Sequence, residues 1–296
     1  MNRPWIEKYR PTKLNNIIGQ NTIIKLLKKS IQTNTPIPNL LFYGPPGTGK
    51  TTTILSYCYE MFGNDYMNYI IELNASCDNG INIIKSTISS FAKKRVIDGK
   101  FKMIILDEAD AMTKDAQTAL RKIMEDYSNT RFCIICNYHE KIIPAIVSRC
   151  IEFKFDYINK DVIKTHLSKI YEREFKSKID DNLLNNICML SNGDLRKSIN
   201  MLQSLKYSMN TKETFYEMCG LIDDNKLNEI INKIKSIKTA KELLNVHKEI
   251  IRMNYSIKNI IKQILVFNNN DSLNELLNSN ITDEFLLFGL IKILNE

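Results

Sequence analysis

Between residues 39 and 155 short apolar runs alternate with longer stretches in which apolar side chains recur every three or four positions. The runs are Asn39–Tyr43, Tyr69–Leu73, Lys102–Leu106, Arg131–Cys136 and Ile151–Phe155. They are too short for helices, rich in Ile, Phe and Tyr, and bounded by turn residues, which predicts buried parallel strands. Thr51–Phe62, Asn82–Val96 and Asp115–Tyr127 carry the helical period and fill the gaps. A repeated strand–helix–strand order covers both faces of a sheet, which is an α/β nucleotide-binding layout. After Phe155 the strand-like runs stop, and Asp161–Phe175, Asp180–Leu190 and Asp194–Tyr207 read as three amphipathic helices. From about Asp223 four or five further helical segments follow, among them Ala240–Met253 and Ile257–Phe267, broken by the polar stretch Asn268–Ser272. The expected organisation is an α/β domain with a five-stranded parallel sheet over 1–156, a three-helix domain over 157–222 and an all-helical domain over 223–296.

Composition narrows the classes without naming a chemistry. The chain has 296 residues, 44% hydrophobic and 25% charged, the ordinary globular balance, which excludes collagenous, mucin-like and wholly disordered proteins. No apolar run approaches the ~20 residues that span a bilayer, and residues 1–11 hold no apolar signal core, so a soluble intracellular protein is expected. Seven cysteines without framework spacing fit reduced thiols. The net charge is +8, and the excess is local: residues 1–222 hold 31 basic and 23 acidic side chains, whereas 223–296 hold 10 of each. Positive charge gathered in the first part invites a polyanion, most simply nucleic acid, although an evenly solvated basic surface has the same count.

The chemistry enters at Gly44-Pro45-Pro46-Gly47-Thr48-Gly49-Lys50-Thr51, with Thr52 behind it, placed between an apolar strand and a helix. In that context glycines let backbone N–H groups wrap phosphates, Lys50 reaches the β- and γ-phosphates, and the Thr51 hydroxyl can hold Mg²⁺. About 60 residues on, Leu106-Asp107-Glu108-Ala109-Asp110 closes the third strand. A carboxylate at a strand's C-terminal end points into the crevice where ligands collect. Asp107 is therefore the expected Mg²⁺ partner, Glu108 the base that polarises an attacking water, and Asp110 a cap for the next helix. Cys133 and Cys136 have zinc-like spacing, but three residues apart on a strand puts them on opposite faces, and they cannot share an ion.

Seven boxes, taken together, resemble the small subunits of replication factor C, the AAA+ ATPases of the sliding-clamp loader. They are Pro4–Pro11, Gly44–Thr51, Glu72–Ser76, Leu106–Asp110, Cys136-Asn137, Ser148-Arg149-Cys150 and Gly193–Arg196, in the family's order and spacing. The resemblance is dense over residues 3 to about 222 and looser beyond. It implies an AAA+ P-loop domain, a small helical lid over 157–222 and an oligomerisation collar over 223–296, using ATP with Mg²⁺. It implies that Asn137 is sensor 1, Arg196 sensor 2, and Arg149 a finger acting in trans on a neighbour's ATP. Ile6, Arg10 and Ile18 match positions bordering adenine and ribose, Lys85 and Lys114 match cations that track a DNA backbone, and Gln117 matches a relay between DNA and the acid box. Phe91, Val96 and Ile97 match a clamp-contacting segment. The implied partners are other loader subunits, in a hetero-pentamer with a large subunit, a sliding clamp and primer–template DNA. The implied place is the nucleus of a cellular eukaryote, or otherwise the cytoplasm or a viral replication site. Three departures stand out: Cys77 where the family has Asp, Asn79 where it has Arg, and Pro144 one place early in the loop before Arg149. A branch-migration helicase or another DNA-dependent AAA+ motor would share the P-loop, acids, sensors and finger; a catalytically silent scaffold would not keep Lys50, Thr51, Asp107 and Glu108.

Overall fold

The computed structural model describes residues 3–76, 81–94, 101–127, 129–207, 216, 222, 224–253, 255–267, 271–279 and 281–295. The first part runs α1 (Trp5–Lys8), α2 (Asn21–Thr33), β1 (Leu40–Tyr43), α3 (Lys50–Phe62), β2 (Ile70–Asn74), α4 (Ile81–Lys93), β3 (Lys102–Asp107), α5 (Lys114–Asp126), β4 (Thr130–Cys136), α6 (Pro144–Val147) and β5 (Ile151–Lys154). Among the described residues, α7 (Lys160–Phe175), α8 (Asp181–Ser191), α9 (Leu195–Ser204), α10 (Asp224–Ser236), α11 (Ala240–Arg252), α12 (Ile257–Phe267), α13 (Asp271–Asn278) and α14 (Asp283–Asn295) come after it. Among the described residues no helix is long and apolar enough to cross a membrane.

The five strands form one sheet in the order β2-β3-β4-β1-β5, and every pairing is parallel. Because side chains alternate across a strand, each central strand feeds two cores. Leu40, Phe42, Met103, Ile105, Cys133 and Ile135 pack with Ile23, Ile24, Leu27, Ile54 and Tyr57 of α2 and α3 on one face. Leu41, Ile104, Leu106, Phe132, Ile134 and Cys136 pack with Ile88, Leu120, Ile123 and Ile146 of α4, α5 and α6 on the other. Cys133 and Cys136 thus fall in different layers.

β5 is not a buried strand: Ile151, Glu152 and Lys154 are exposed, because β5 is an edge and has a neighbour on one side only. Tyr43 pairs with Cys136, and Asn74 with Asp107. The ends of β1, β3 and β4 therefore lie nearly level, where ligands gather in an open α/β sheet.

The chain divides into two compact units, residues 1–162 with 193–196, and residues 163–192 with 197–296. In the second, α10 to α14 share a core of Ile222, Leu227, Ile234, Ile250, Ile260, Ile261, Leu273, Leu286 and Leu290, and α8 packs on α12.

Candidate functional site

β1 ends in a loop whose backbone only glycine accommodates at two points. A Cβ on Gly44 would lie 2.1 Å from the Phe155 carbonyl oxygen, and one on Gly47 would lie 1.8 Å from an Asp194 carboxylate oxygen. Both residues also have positive φ, which L side chains rarely adopt. Gly49, at the N-cap of α3, offers no side-chain cap. The first-turn N–H groups of α3 and the positive end of its dipole are left for an anion.

Lys50, the first residue of α3, is only 7% exposed. Its Nζ donates to the Gly44 carbonyl at 2.7 Å, the Pro45 carbonyl at 2.8 Å and Asn137 Oδ1 at 2.9 Å. Burial pulls its pKa below the usual lysine value, and the charges of Asp107 and Asp110 pull it back up; Arg196 adds a smaller downward push. Thr51 Oγ1 donates to Asp107 Oδ2 at 2.6 Å, and Asp107 Oδ1 accepts the Glu108 N–H at 2.8 Å. Hydrogen bonds thus join the P-loop, the end of β3 and the end of β4 into one constellation. Thr48 is buried and braces the loop by donating to the Pro45 carbonyl at 2.9 Å. Pro45, Gly47, Gly49, Thr51 and Thr52 are half-buried and Pro46 is exposed.

Glu108 is exposed and has a left-handed backbone, φ 55° and ψ 37°. For a non-glycine residue this is an uncommon, strained conformation of the kind that clusters at functional sites. It turns the chain sharply after β3. Asp110 Oδ2 accepts the Tyr138 N–H at 3.3 Å, so this acid ties the acid box to the loop after β4.

The amino-terminal box docks on α3. Trp5 is buried, Ser56 donates to the Pro11 carbonyl at 2.9 Å, and Glu60 accepts the Leu14 N–H at 2.7 Å. Ile6, Arg10 and Ile18 are half-buried, and Arg10 pairs with Glu7 at 2.5 Å. A cavity of about 380 Å³ is lined by Gly19, Gln20, Phe153, Tyr157, Ile158 and Val162 among others, and Ile6, Arg10 and Ile18 do not line it. Glu72, on β2, has its carboxyl pKa raised by burial and by Asp107, with Arg10 acting against the rise.

Gln117 is 1% exposed, and its amide is fully committed. Nε2 donates to the Lys141 carbonyl at 2.9 Å and the Met112 carbonyl at 3.3 Å, while Oε1 accepts the Ile143 N–H at 2.8 Å. It fastens α5 to the loop that leads from Asn137 to Arg149. Pro144, the early proline, occupies the first turn of α6, where its missing N–H costs nothing. Arg149 follows that single turn and is half-exposed; its Nη1 donates to the Ala145 carbonyl at 2.7 Å and its Nη2 to Glu125 Oε1 at 2.5 Å. Nothing in the one-dimensional pattern points to Glu125.

Lys114 is exposed at the start of α5. Lys85 lies in α4, with its side chain outside the described residues, as are Val96, Ile97, Cys77 and Asn79 altogether. Phe91 is half-buried and packs with Ile88 against the sheet, under the Lys102 ammonium at 5.2 Å. Its inner face belongs to the core, so only its outer edge is left for a partner. Lys102, expected only as the start of a strand, donates to the carbonyls of Phe91, Ala92 and Lys94 and so caps the end of α4. Burial raises the thiol pKa values of Cys136 and Cys150 to about 12, which keeps both protonated at neutral pH.

Comparison with known proteins agrees with this geometry. Residues 40–157 match the ATPase family associated with various cellular activities (AAA), and residues 166–207 match the RCF1/5-like AAA+ ATPase lid domain. Replication factor C subunit 3 of Saccharomyces cerevisiae is 43% identical over 242 residues, covering 79% of this chain and 71% of that protein. The replication factor C small subunit of Picrophilus torridus is 43% identical over 231 residues, 77% of this chain and 72% of that one. Human replication factor C subunit 5 is 46% identical over 224 residues, 74% and 65% of the two chains. Among solved structures, the Thermotoga maritima RuvB Holliday junction branch migration motor shares the fold, with a TM-score of 0.59 at 17% identity over 77% of this chain and 80% of that one. With Lys50 and Thr51 of the P-loop bonded to Asn137 and Asp107, and with relatives this similar over most of their length, the chain belongs to the replication factor C small subunits, the AAA+ ATPases of sliding-clamp loaders.

Proposed function

We propose that the chain binds ATP with Mg²⁺ in the P-loop and, inside a hetero-oligomer with a large subunit, drives the opening of a ring-shaped sliding clamp and its placement on primer–template DNA. The observation that carries this reading is the hydrogen-bonded constellation of Lys50, Thr51, Asp107 and Asn137 in a chain of this family. Thr51 and Asp107 present hard oxygen donors side by side, the donor type Mg²⁺ takes, and would hold the ion, which supplies charge neutralisation to the phosphates. Lys50 exchanges its carbonyl partners for phosphate oxygens. Glu108 polarises the attacking water, Asn137 orients it, and Arg196 distinguishes triphosphate from diphosphate. Arg149 acts on the ATP of the adjacent subunit. Ile6, Arg10 and Ile18 border the nucleoside end.

Lys85 and Lys114 follow the DNA backbone, Gln117 carries that contact toward the acid box, and the segment with Phe91, Val96 and Ile97 meets the clamp, so DNA and clamp both stimulate turnover. Residues 157–222 serve as the lid and 223–296 as the collar. Exposed Leu244 and Ile251 on α11 and Phe285 and Phe288 on α14, two helices in contact, support an assembly surface there. The site of action is the nucleus in a cellular eukaryote and the cytoplasm or a viral replication site otherwise. Mass measurement of the assembly from its native source tests the reading. A loader shows this chain with a distinct larger subunit; a ring of this chain alone would favour a homomeric motor.

A further inference from the structure

Arg149 sits where a one-turn helix ends, a weak support for a side chain that must reach into another subunit. Its guanidinium is nevertheless fixed at both terminal nitrogens. Nη1 is held by its own turn through the Ala145 carbonyl at 2.7 Å, and Nη2 by Glu125 Oε1 at 2.5 Å, from a different element. Two acceptors on the two arms of a planar fork define its plane as well as its position.

Glu125 is itself well placed to do this. It lies in the last turn of α5, a helix seated on the sheet by Leu120, Ile123 and Met124, tied to the loop after β4 by Gln117 and capped at its start by Thr113. One turn before it, Arg121 Nε lies 3.6 Å from the same Oε1. That Nε is buried without a hydrogen-bond partner, so the carboxylate is the group that answers its charge. The side chains of Glu125 and Arg149 are 41% and 36% exposed, a setting in which an ion pair contributes little to folding stability. The pair is better accounted for by what it does to the direction of Arg149.

We infer that Glu125 is the positioning residue for Arg149, and that the Arg121–Glu125–Arg149 row aims the finger before a neighbour's nucleotide arrives. A free arginine has many rotamers to lose on reaching the phosphate; one already held in a fixed plane loses fewer. The inference rests on the proposed trans role of Arg149, and a double-mutant cycle separates the two. In the complete assembly, ATP turnover is measured for the parent, Glu125→Ala, Glu125→Gln, Arg149→Ala and the Glu125→Ala/Arg149→Ala double variant, with the melting temperature of each.

Glu125→Ala is expected to lower kcat about threefold to tenfold with KM for ATP within about twofold. Glu125→Gln, which keeps an acceptor oxygen, loses less, and the melting temperatures stay together. In the Arg149→Ala background the Glu125 change is expected to have no further effect. An unchanged or raised kcat in Glu125→Ala, or an equal loss in both backgrounds, overturns the positioning role while leaving the finger in place. Parent-like turnover in Arg149→Ala overturns the finger reading and this inference with it.

Discussion

Replacing Lys50 by Ala separates nucleotide binding from folding. The ammonium is 7% exposed and satisfied by three oxygens at 2.7, 2.8 and 2.9 Å. Its lowered pKa, caused first by burial, means that the charged form is held against a desolvation cost. Truncation loses the three bonds and relieves that cost together, so stability should change by only about 1 kcal/mol. Binding is different, because a phosphate that meets no cation loses about 2–5 kcal/mol, or about 30-fold to several thousand-fold in affinity. The assay is thermal unfolding with and without Mg-ATP. At about 100 times Kd the parent gains about 2.7 kcal/mol, which at about 2–4 °C per kcal/mol is a rise of about 5–11 °C. At the same ATP concentration Lys50→Ala should rise by about 3 °C at most. A parent-like rise would refute the assignment of Lys50 to the phosphates. A collapse of the nucleotide-free melting temperature would show that Lys50 is structural instead.

The same lysine gives a pH prediction. Its folded pKa lies below 10.5, so as pH climbs toward that value it loses its proton before an unfolded lysine would. Without ATP the fold gains stability from this group in that window, because the unfolded chain there binds more protons than the folded one and the burial cost of the charged amine is relieved, whereas ATP affinity falls as the ammonium is lost; ATP binding should draw in a proton, measurable by calorimetry in buffers of different ionisation heat. Glu108→Gln should leave the ATP-induced thermal shift intact and reduce turnover by about 10²–10⁴, read in a phosphate-release assay; full turnover would remove Glu108 as the base. Arg149→Ala should keep nucleotide affinity in its own pocket and lower hydrolysis next door by about 10³, read by comparing nucleotide binding with turnover of the assembly. Charge reversal at Lys85 and Lys114 should flatten the slope of log K against log salt for DNA by about one unit per lost phosphate contact, with no dependence on base sequence; an unchanged slope takes both off the contact surface.

The parts of the fold that are legible in the sequence are those whose signal is local. β1, β3 and β4 are apolar runs because both faces of a central strand are covered, and α3 and α5 carry the helical period because one face meets the sheet. α2 escapes because its ends are unmarked: Gln20 and Asn34 flank it in left-handed conformations without a capping side chain, although Ile23, Ile24 and Leu27 share a buried face. β5 reads as buried from its apolar content, yet Ile151-Glu152-Phe153-Lys154 alternates as a half-exposed edge should. The P-loop and acid box are legible as compact strings. The bonds that assemble the site are not, since Gln117 reaches 24 and 26 residues to Lys141 and Ile143, and Glu125 reaches 24 to Arg149. Such pairs depend on how α5 lies beside the loop after β4, which no spacing along the chain encodes.

Whether ATP turnover in this constellation places a clamp on DNA is read by counting clamps on closed circular primed DNA. The native assembly, its clamp and ATP are mixed, the DNA is isolated, and clamps per circle are measured for the parent and for assemblies carrying Lys50→Ala. Clamps should be retained on circular DNA and lost when it is linearised, with deposition sharply reduced by Lys50→Ala. Clamp deposition that is equal with and without ATP, or absent from an assembly that instead drives movement of branched DNA, would contradict the proposed function.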